Sequence, residues 1–206
     1  SRVADRASTK IIIVDGQSEH ATANGTSAYT TVSSEAQQLN IYDGGIYAGS
    51  DPVQGASSAP GVGPSSLVMR IADRLIAQDK ATRIIMVPIA IGGTPWAIYD
   101  PAAAGSLFTR FRCAYRRLAA HGLEPDVIIT ARGATDNTLN TSAASVKTSI
   151  WAWADGVRAL GCTAPIYVGK FTMVGGSVDA TVQSGIDQAI DVGRDIRAGY
   201  DGDASL

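Results

Sequence analysis

The chain has 206 residues, of which 45% are hydrophobic and 17% charged, and this composition excludes an intrinsically disordered protein. The 17 Lys and Arg against 19 Asp and Glu give a net charge of −2, so no basic excess is present to hold the phosphates of a nucleic acid. No apolar run approaches the roughly 20 residues that a membrane-spanning helix needs. Two Cys and two His form neither a disulfide framework nor a zinc site.

The apolar residues predict short strands that alternate with helices. Continuous runs rich in β-branched residues predict buried strands at 11–14, 84–89, 127–130 and 166–168. Apolar residues at helical spacing predict helices at 64–76, 107–121, 142–160 and 179–198. Residues 40–63 break the pattern with many Gly, Ser, Asp and Pro, and they are predicted to form a long loop with room for one short strand.

This order of elements predicts an α/β fold with a parallel sheet and helices on both of its faces. In such a sheet, ligands bind beyond the carboxyl ends of the strands. Polar, Gly-rich turns follow the first three predicted strands, at 15–20, 90–96 and 131–137. These turns are predicted to converge on one edge of the sheet and to form the functional site there.

Ser18 is the candidate nucleophile in the first of these turns. It follows a strand and Gly16, which permits a sharp turn, and backbone N–H groups at the start of a helical turn can stabilise negative charge. The alternative is that Ser18 only caps a helix. In the second turn, Gly92 and Gly93 let the backbone approach a ligand and offer a free N–H, or they form a plain tight turn.

Four short motifs occur in an order that resembles a known family. They are Gly-Gln-Ser at 16–18, Asp-Pro at 51–52, Gly-Val-Gly-Pro at 61–64 and Val-Pro-Ile-Ala-Ile-Gly-Gly-Thr at 87–94. Together they resemble the carbohydrate-esterase branch of the SGNH hydrolases, which includes sialate O-acetylesterases and acetyl xylan esterases. The resemblance runs from about residue 10 to the end of the chain.

The resemblance implies a three-layer α/β/α sandwich with a flavodoxin-like parallel sheet, formed as a single domain by residues 1–206. It implies that Ser18 attacks an acetyl ester, and that the N–H groups of Ser18 and Gly93 with the side chain of Arg132 form the oxyanion hole. We predict as substrate-binding residues Gln17, Glu19, His20, Thr94, Trp96 and Asp136. An acetylated carbohydrate is the expected substrate, no metal or organic cofactor is expected, and the family suggests a secreted or periplasmic location.

The third turn departs from the family, which usually has Gln-Gly-Glu-x-Asp where residues 132–136 read Arg-Gly-Ala-Thr-Asp. Arg132 is predicted either to donate to the oxyanion or to pair with Glu19. Asp136 either orients a neighbour or acts as a turn or cap residue. Trp96 either stacks on a sugar or packs in the core.

The family's base, a His in a C-terminal Asp-x-x-His motif, is absent. The sequence contains only His121, predicted at the solvated end of a helix, and His20, which lies two residues beyond Ser18 and is predicted to contact substrate or structure rather than to act as the base. A forced alignment places Asp203 at the Asp and Leu206 at the His. We expect instead that the chain lacks its C-terminal catalytic segment and is inactive as given, with a natural non-catalytic relative as the alternative.

The sequence therefore predicts a serine esterase that removes O-acetyl groups from a carbohydrate. The alternative is a catalytically inactive glycan-binding module of the same fold. A flavodoxin-like nucleotide or phosphate binder would rest on fold class alone, and fold does not establish function. No nucleic-acid or membrane partner is expected, and no exposed apolar stripe in the sequence points to a particular oligomeric state.

Overall fold

The computed structural model describes residues 8–18, 20–21, 27–56 and 65–205. The strands in these ranges are β1 Thr9–Val14, β2 Ala36–Leu39, β3 Ile46–Ala48, β4 Arg83–Pro88, β5 Val127–Gly133, β6 Ile166–Phe171 and β7 Ile196–Asp201. The helices are α1 Val68–Ala77, α2 Phe108–Ala120, α3 Ala134–Thr138, α4 Ala143–Ala159 and α5 Ala180–Ala189. Short 3-10 turns span Trp96–Tyr99, Val192–Arg194 and Asp203–Ser205. The motif at 61–64 lies outside the described residues.

The strands form a seven-stranded sheet in the order β3-β2-β4-β1-β5-β6-β7. Every pair with a described register is parallel, apart from β2 with β3. The predicted α/β fold with a mostly parallel central sheet flanked by helices is therefore confirmed. No helix in the described ranges is long and apolar enough to cross a membrane.

The chain divides into two compact units, residues Ser1–Gly92 with Ala114–Asp126, and Gly93–Cys113 with Val127–Leu206. The first unit is built around β1 and β4, which pair in parallel from Thr9 with Arg83 onwards. Ile11 and Ile13 in β1 and their partners in β4 are fully buried. Such β-branched residues suit a strand that is covered on both faces.

The predicted loop at 40–63 contains one short strand, β3, as expected, and β3 runs antiparallel to β2, which lies just before the loop. The sequence of β2 is polar, with Gln38 at its centre, and the apolar pattern therefore did not mark it as a strand. Gln38 is nevertheless fully buried. Its amide nitrogen donates to the carbonyls of Ala48 and Ser50, both at 3.2 Å, and its amide oxygen accepts from the Gln54 N–H at 2.9 Å. These hydrogen bonds offset the cost of burying an amide.

The core of the second unit is aromatic. Trp153 of α4 is fully buried, and its ring meets Trp96 edge-on at 6.1 Å and Phe111 at 6.0 Å between centroids. Such edge-to-face pairs are favoured by the ring quadrupoles. Helix α4 also packs closely on α5.

The predicted helix at 179–198 is wrong beyond Ala189, where α5 ends. The Asp191 carboxylate accepts from the N–H groups of Gly193 and Arg194, which turns the chain into a 3-10 turn instead of continuing the helix. Asp195 is then left-handed, with φ at 50°. Residues from Ile196 onwards form β7, and Ile196 is buried opposite Ile166 of β6. The hydrogen bonds of the Asp191 side chain thus override the helix that the spacing of apolar residues predicts.

The start of α5 gives a test of this local structure. The Asp179 carboxylate caps the helix by accepting from the N–H groups of Thr181 at 2.7 Å and Val182 at 3.0 Å. Asp179→Ala should lower the free energy of unfolding by about 1 kcal/mol, because these donors lose their acceptor. Asp179→Asn keeps an acceptor and should stay close to wild type. Urea unfolding of both variants measures this, and equal losses would contradict the capping role.

Candidate functional site

The turn after β1 is closed by backbone hydrogen bonds. Gly16 has φ of +138°, which favours glycine, and its N–H donates to the Asp15 carboxylate at 2.8 Å. The carbonyl of Gln17 accepts from the N–H groups of His20 at 3.1 Å and Ala21 at 2.9 Å. The chain therefore makes one helical turn directly after the strand.

Ser18 is the residue of this turn that reaches the surface. Gln17 and His20 are buried, and among the described positions of 15–21 Ser18 alone is half-buried. The turn thus combines buried side chains at Gln17 and His20 with a partly accessible Ser18. This agrees with a nucleophile and equally with a surface cap, so the role of Ser18 stays a prediction.

His20 anchors the turn. Its ring Nδ1 contacts the Asp15 carbonyl. Because a carbonyl only accepts hydrogen bonds, Nδ1 carries the proton, and in neutral His20 the Nε2 atom is the acceptor. The sequence predicts that His20 contacts either the substrate or the protein itself, and the described contact is with the protein.

The turn after β4 runs beside the turn after β1. The Ile89 N–H donates to the Val14 carbonyl at 2.8 Å, and the Ile91 N–H donates to the Gly16 carbonyl at 3.1 Å. The parallel pairing of β1 and β4 therefore continues past the ends of both strands. Within the first unit, the turn after β4 is therefore hydrogen-bonded to Gly16, which lies two positions before Ser18.

Gly93, the next residue after this unit, has the properties of a ligand-facing backbone. Its φ is +70°, and a Cβ placed on it would have no heavy atom within 4 Å. Glycine is therefore required here by backbone conformation and not by crowding. Gly93 is exposed, and no described residue accepts a hydrogen bond from its N–H.

Arg132 lies at the end of β5 and is fully buried. Its guanidinium carbon lies 3.5 Å from the centroid of the Tyr99 ring and 5.3 Å from that of Trp96. Its Nη1 donates to the Thr94 hydroxyl at 3.1 Å, and that hydroxyl is also 3.1 Å from the Tyr99 hydroxyl. Aromatic faces and a hydroxyl thus receive the buried cation. The effect is to hold the segment after Gly93 against β5.

Asp136 makes a second link to the same segment. Its carboxylate is buried and accepts the Trp96 N–H at 3.2 Å. Burial raises the pKa of Asp136, and the hydrogen bonds from Trp96 and Thr141 and the charge of Arg132 oppose this only in part. Of its two predicted roles, the contacts favour orienting a neighbour.

The structure brings Thr94, Trp96, Arg132 and Asp136 together within the second unit. Trp96 has no exposed surface, so it packs in the core and offers no wall for a sugar to stack on. Glu19 lies outside the described residues, and so does its predicted pairing with Arg132. The convergence of Ser18, Gly93 and Arg132 at one cleft stays a prediction.

The contact of the Tyr99 ring with Arg132 was not predicted from the sequence. An Arg within the apolar strand sequence Val-Ile-Ile-Thr-Ala-Arg-Gly was the available signal, because a buried guanidinium needs an aromatic face or hydroxyl partners.

Asp203 is held by four donors at the end of β6 and on α5. It accepts from the Thr172 N–H and hydroxyl at 2.8 and 2.7 Å, the Met173 N–H at 3.1 Å and the Gln183 amide at 2.8 Å. Burial alone would raise its pKa, but these hydrogen bonds together hold the pKa of Asp203 below its usual value.

Among the described residues, no cluster of three His, Cys, Asp or Glu could hold a metal ion.

Comparisons with known proteins establish the fold. No protein-family model matches the chain, and no curated protein matches it by sequence. A crystal structure of the Arabidopsis thaliana protein AT4G34215 is similar, with a TM-score of 0.72, 16% identity, and coverage of 94% of this chain and 85% of that chain. The structure of NanS gives a TM-score of 0.47 and 15% identity, over 78% of this chain and 67% of that one. The likeness to the Arabidopsis protein shows a shared α/β fold.

The contact between Arg132 and Thr94 gives a stability prediction. Thr94→Val keeps the shape of the side chain but removes the acceptor of a buried cation, and it should lower the free energy of unfolding by about 2 kcal/mol. Thr109→Val is the matched control, since that exposed hydroxyl donates only to the Ser106 carbonyl, and it should cost less than about 1 kcal/mol. Denaturant unfolding compares the two, and equal costs would argue against the role of Thr94.

The raised pKa of Asp136 gives a pH prediction. A carboxyl group with a higher pKa in the folded state binds more protons there than when unfolded, so its contribution to stability falls as pH rises above its usual 3.8 through the raised value. Asp136→Asn keeps an acceptor for the Trp96 N–H and removes the titration. The free energy of unfolding of wild type minus that of the variant should therefore decrease with pH across this interval. A constant difference would contradict the prediction.

Proposed function

We propose that the chain is a serine esterase that removes O-acetyl groups from a carbohydrate through an acyl-enzyme on Ser18. The observation that carries the proposal is the hydrogen bond from the Ile91 N–H to the Gly16 carbonyl. It ties together two turns in which Ser18 and Gly93 each lie two residues further along. The SGNH-like order of motifs supports the same assignment.

In the proposed reaction, the Ser18 oxygen attacks the acetyl carbonyl carbon while its proton passes to a base. The N–H groups of Ser18 and Gly93 donate to the carbonyl oxygen as it becomes negative, and an oxyanion-hole donor is typically worth about 10²–10³ in rate. The sugar hydroxyl leaves with the proton. Water then attacks the acetyl group on Ser18, so that acetate is released and the Ser18 hydroxyl is restored.

Arg132 has a positioning role in this proposal. Its guanidinium is buried on Tyr99 and bonded to Thr94, which directly follows Gly93. We expect it to hold the backbone of Gly93 in place and not to donate to the oxyanion itself. Asp136 supports the same segment through the Trp96 N–H.

The mechanism also needs a base that accepts the Ser18 proton, and the two His of the chain are the candidates. His121 is exposed, and its Nε2 lies 2.7 Å from the Gly44 carbonyl. His20 has the tautomer that a base needs, with Nε2 as acceptor, but it is only two residues from Ser18. The alternative function, an inactive glycan-binding module, is favoured by one observation: neither His20 nor His121 belongs to an Asp-x-x-His motif.

The test is acetate release from acetylated xylo-oligosaccharides and O-acetylated sialic acid, measured with and without added imidazole. Ser18→Ala should lower any enzymatic release at least about 10³-fold, because the nucleophile is lost. Ser27→Ala, at an exposed Ser of the same unit, is the control and should leave release unchanged.

The outcomes separate the alternatives. Release that disappears in His20→Gln and returns when imidazole is added identifies His20 as the base, whereas Ser18-dependent release that the unsubstituted chain shows only with imidazole indicates a base missing from residues 1–206. Binding of the acetylated oligosaccharides without release in either condition would favour the glycan-binding module. Release that is unaffected by Ser18→Ala would overturn the esterase proposal.

A further inference from the structure

A groove runs along α1 within the first unit. It consists of two open cavities of about 460 and 440 Å³, and Ile76 lines both of them. Four cationic residues line this α1 groove, with Arg70 and Arg74 in the first cavity and Lys10 and Lys80 in the second. None of its lining residues belongs to the turn that contains Ser18.

Arg70 and Arg74 are exposed and lie one helical turn apart, about 6 Å along the axis of α1. Arg70 stacks on the Tyr29 ring at 4.3 Å, and its guanidinium lies 3.5 Å from the Ser65 hydroxyl. The side chain of Arg74 makes no hydrogen bond or ion pair with any other described residue. Within the described ranges, neither guanidinium is paired with a carboxylate, so both can receive an anionic ligand.

Asp73, the carboxylate of the first cavity, is already engaged. It accepts from the Tyr29 hydroxyl at 2.7 Å, the Val32 N–H at 2.7 Å and the Ser33 N–H at 3.0 Å. These bonds fix residues 29–33 as the wall opposite α1. Asp73 therefore shapes the groove and does not neutralise the arginines through direct contact.

Aliphatic side chains form part of the remaining lining, and the second cavity also contains the Asp79 carboxylate. Val32 is 90% exposed, and Ile76 and Ala77 continue this surface. In the second cavity, Lys80 is exposed, and Lys10 lies 3.6 Å from Asp126, a pair that water screens because the Lys10 side chain is 45% exposed. The groove therefore combines apolar patches with cations spaced along its length.

We propose that the α1 groove binds an acidic polysaccharide that carries a carboxylate on each sugar. The guanidinium groups pair with successive carboxylates, and the C–H faces of the sugars lie on Val32 and Ile76. The choice of a carbohydrate rests on the proposed function. A nucleic acid fits less well, because Tyr29 is the aromatic ring among the groove's described lining residues and Arg70 already covers it, which leaves no stacking platform for bases.

The test is affinity electrophoresis of the Ser18→Ala chain in native gels that contain polygalacturonate, so the result does not depend on ester cleavage. Mobility relative to a gel without polymer gives the dissociation constant. Arg74→Gln should weaken binding about tenfold through loss of a charge-assisted pair. Arg116→Gln removes the same charge from an exposed position of α2 outside the groove and should change binding less than about twofold.

Fully methyl-esterified polygalacturonate, which has the same backbone without charge, should not retard the chain. Thermal melting of each variant checks that it is folded, and Arg70→Gln provides a second groove variant. Equal binding of the esterified polymer, equal effects of Arg74→Gln and Arg116→Gln, or tighter binding of single-stranded DNA than of polygalacturonate would overturn the proposal. Absence of acetate release by the unsubstituted chain, together with intact binding of polygalacturonate, would contradict the proposed function alone.

Discussion

The pairing of β1 with β4 is the constraint on which the candidate site depends. Each strand contains a buried apolar run preceded by a charged residue, Lys10 in β1 and Arg83 in β4. Sliding either strand by one residue would draw a cation toward the buried layer, and this is costly. The same ladder continues to the Gly16 carbonyl, so the position of the Ser18 backbone relative to the turn after β4 is set by isoleucine burial and main-chain hydrogen bonds.

The second unit buries several polar groups around residues 94–99, the segment that follows Gly93. Besides Arg132 and Asp136, three buried donor atoms have no hydrogen-bond partner among the described residues: the ring nitrogens of Trp96 and Trp153 and the hydroxyl of Thr130. Each such atom typically costs about 1–3 kcal/mol. A core optimised only for stability would use apolar residues at these places. Departures of this kind cluster at sites retained for function, which accords with a role for the 94–99 segment in presenting Gly93.

The strands that the sequence predicts best are those in which local preference and burial agree. The Ile-Ile-Ile-Val run of β1 is an example, and the turn with Ser18 follows from Gly16 and the strand end. The apolar pattern does not predict β2, because the central Gln38 is polar and is buried with its hydrogen bonds satisfied. The pattern does not predict β7 either, because the apolar spacing favours a continued helix where the Asp191 side chain instead forms a 3-10 turn. The contacts of Arg132 arise from residues nearly forty positions apart, and no local pattern encodes them.

The four hydrogen bonds to Asp203 couple the last turn of the described chain to the end of β6. The amides of Thr172 and Met173 donate to this carboxylate, so their exchange with solvent hydrogen requires the Asp203–Ser205 turn to open. Because the pKa of Asp203 is depressed, this anchor is intact above its usual pKa and weakens as acid protonates the carboxylate. Protonation of Asp203 therefore weakens the attachment of the Asp203–Ser205 turn to Thr172 and Met173, so acid favours opening of this turn.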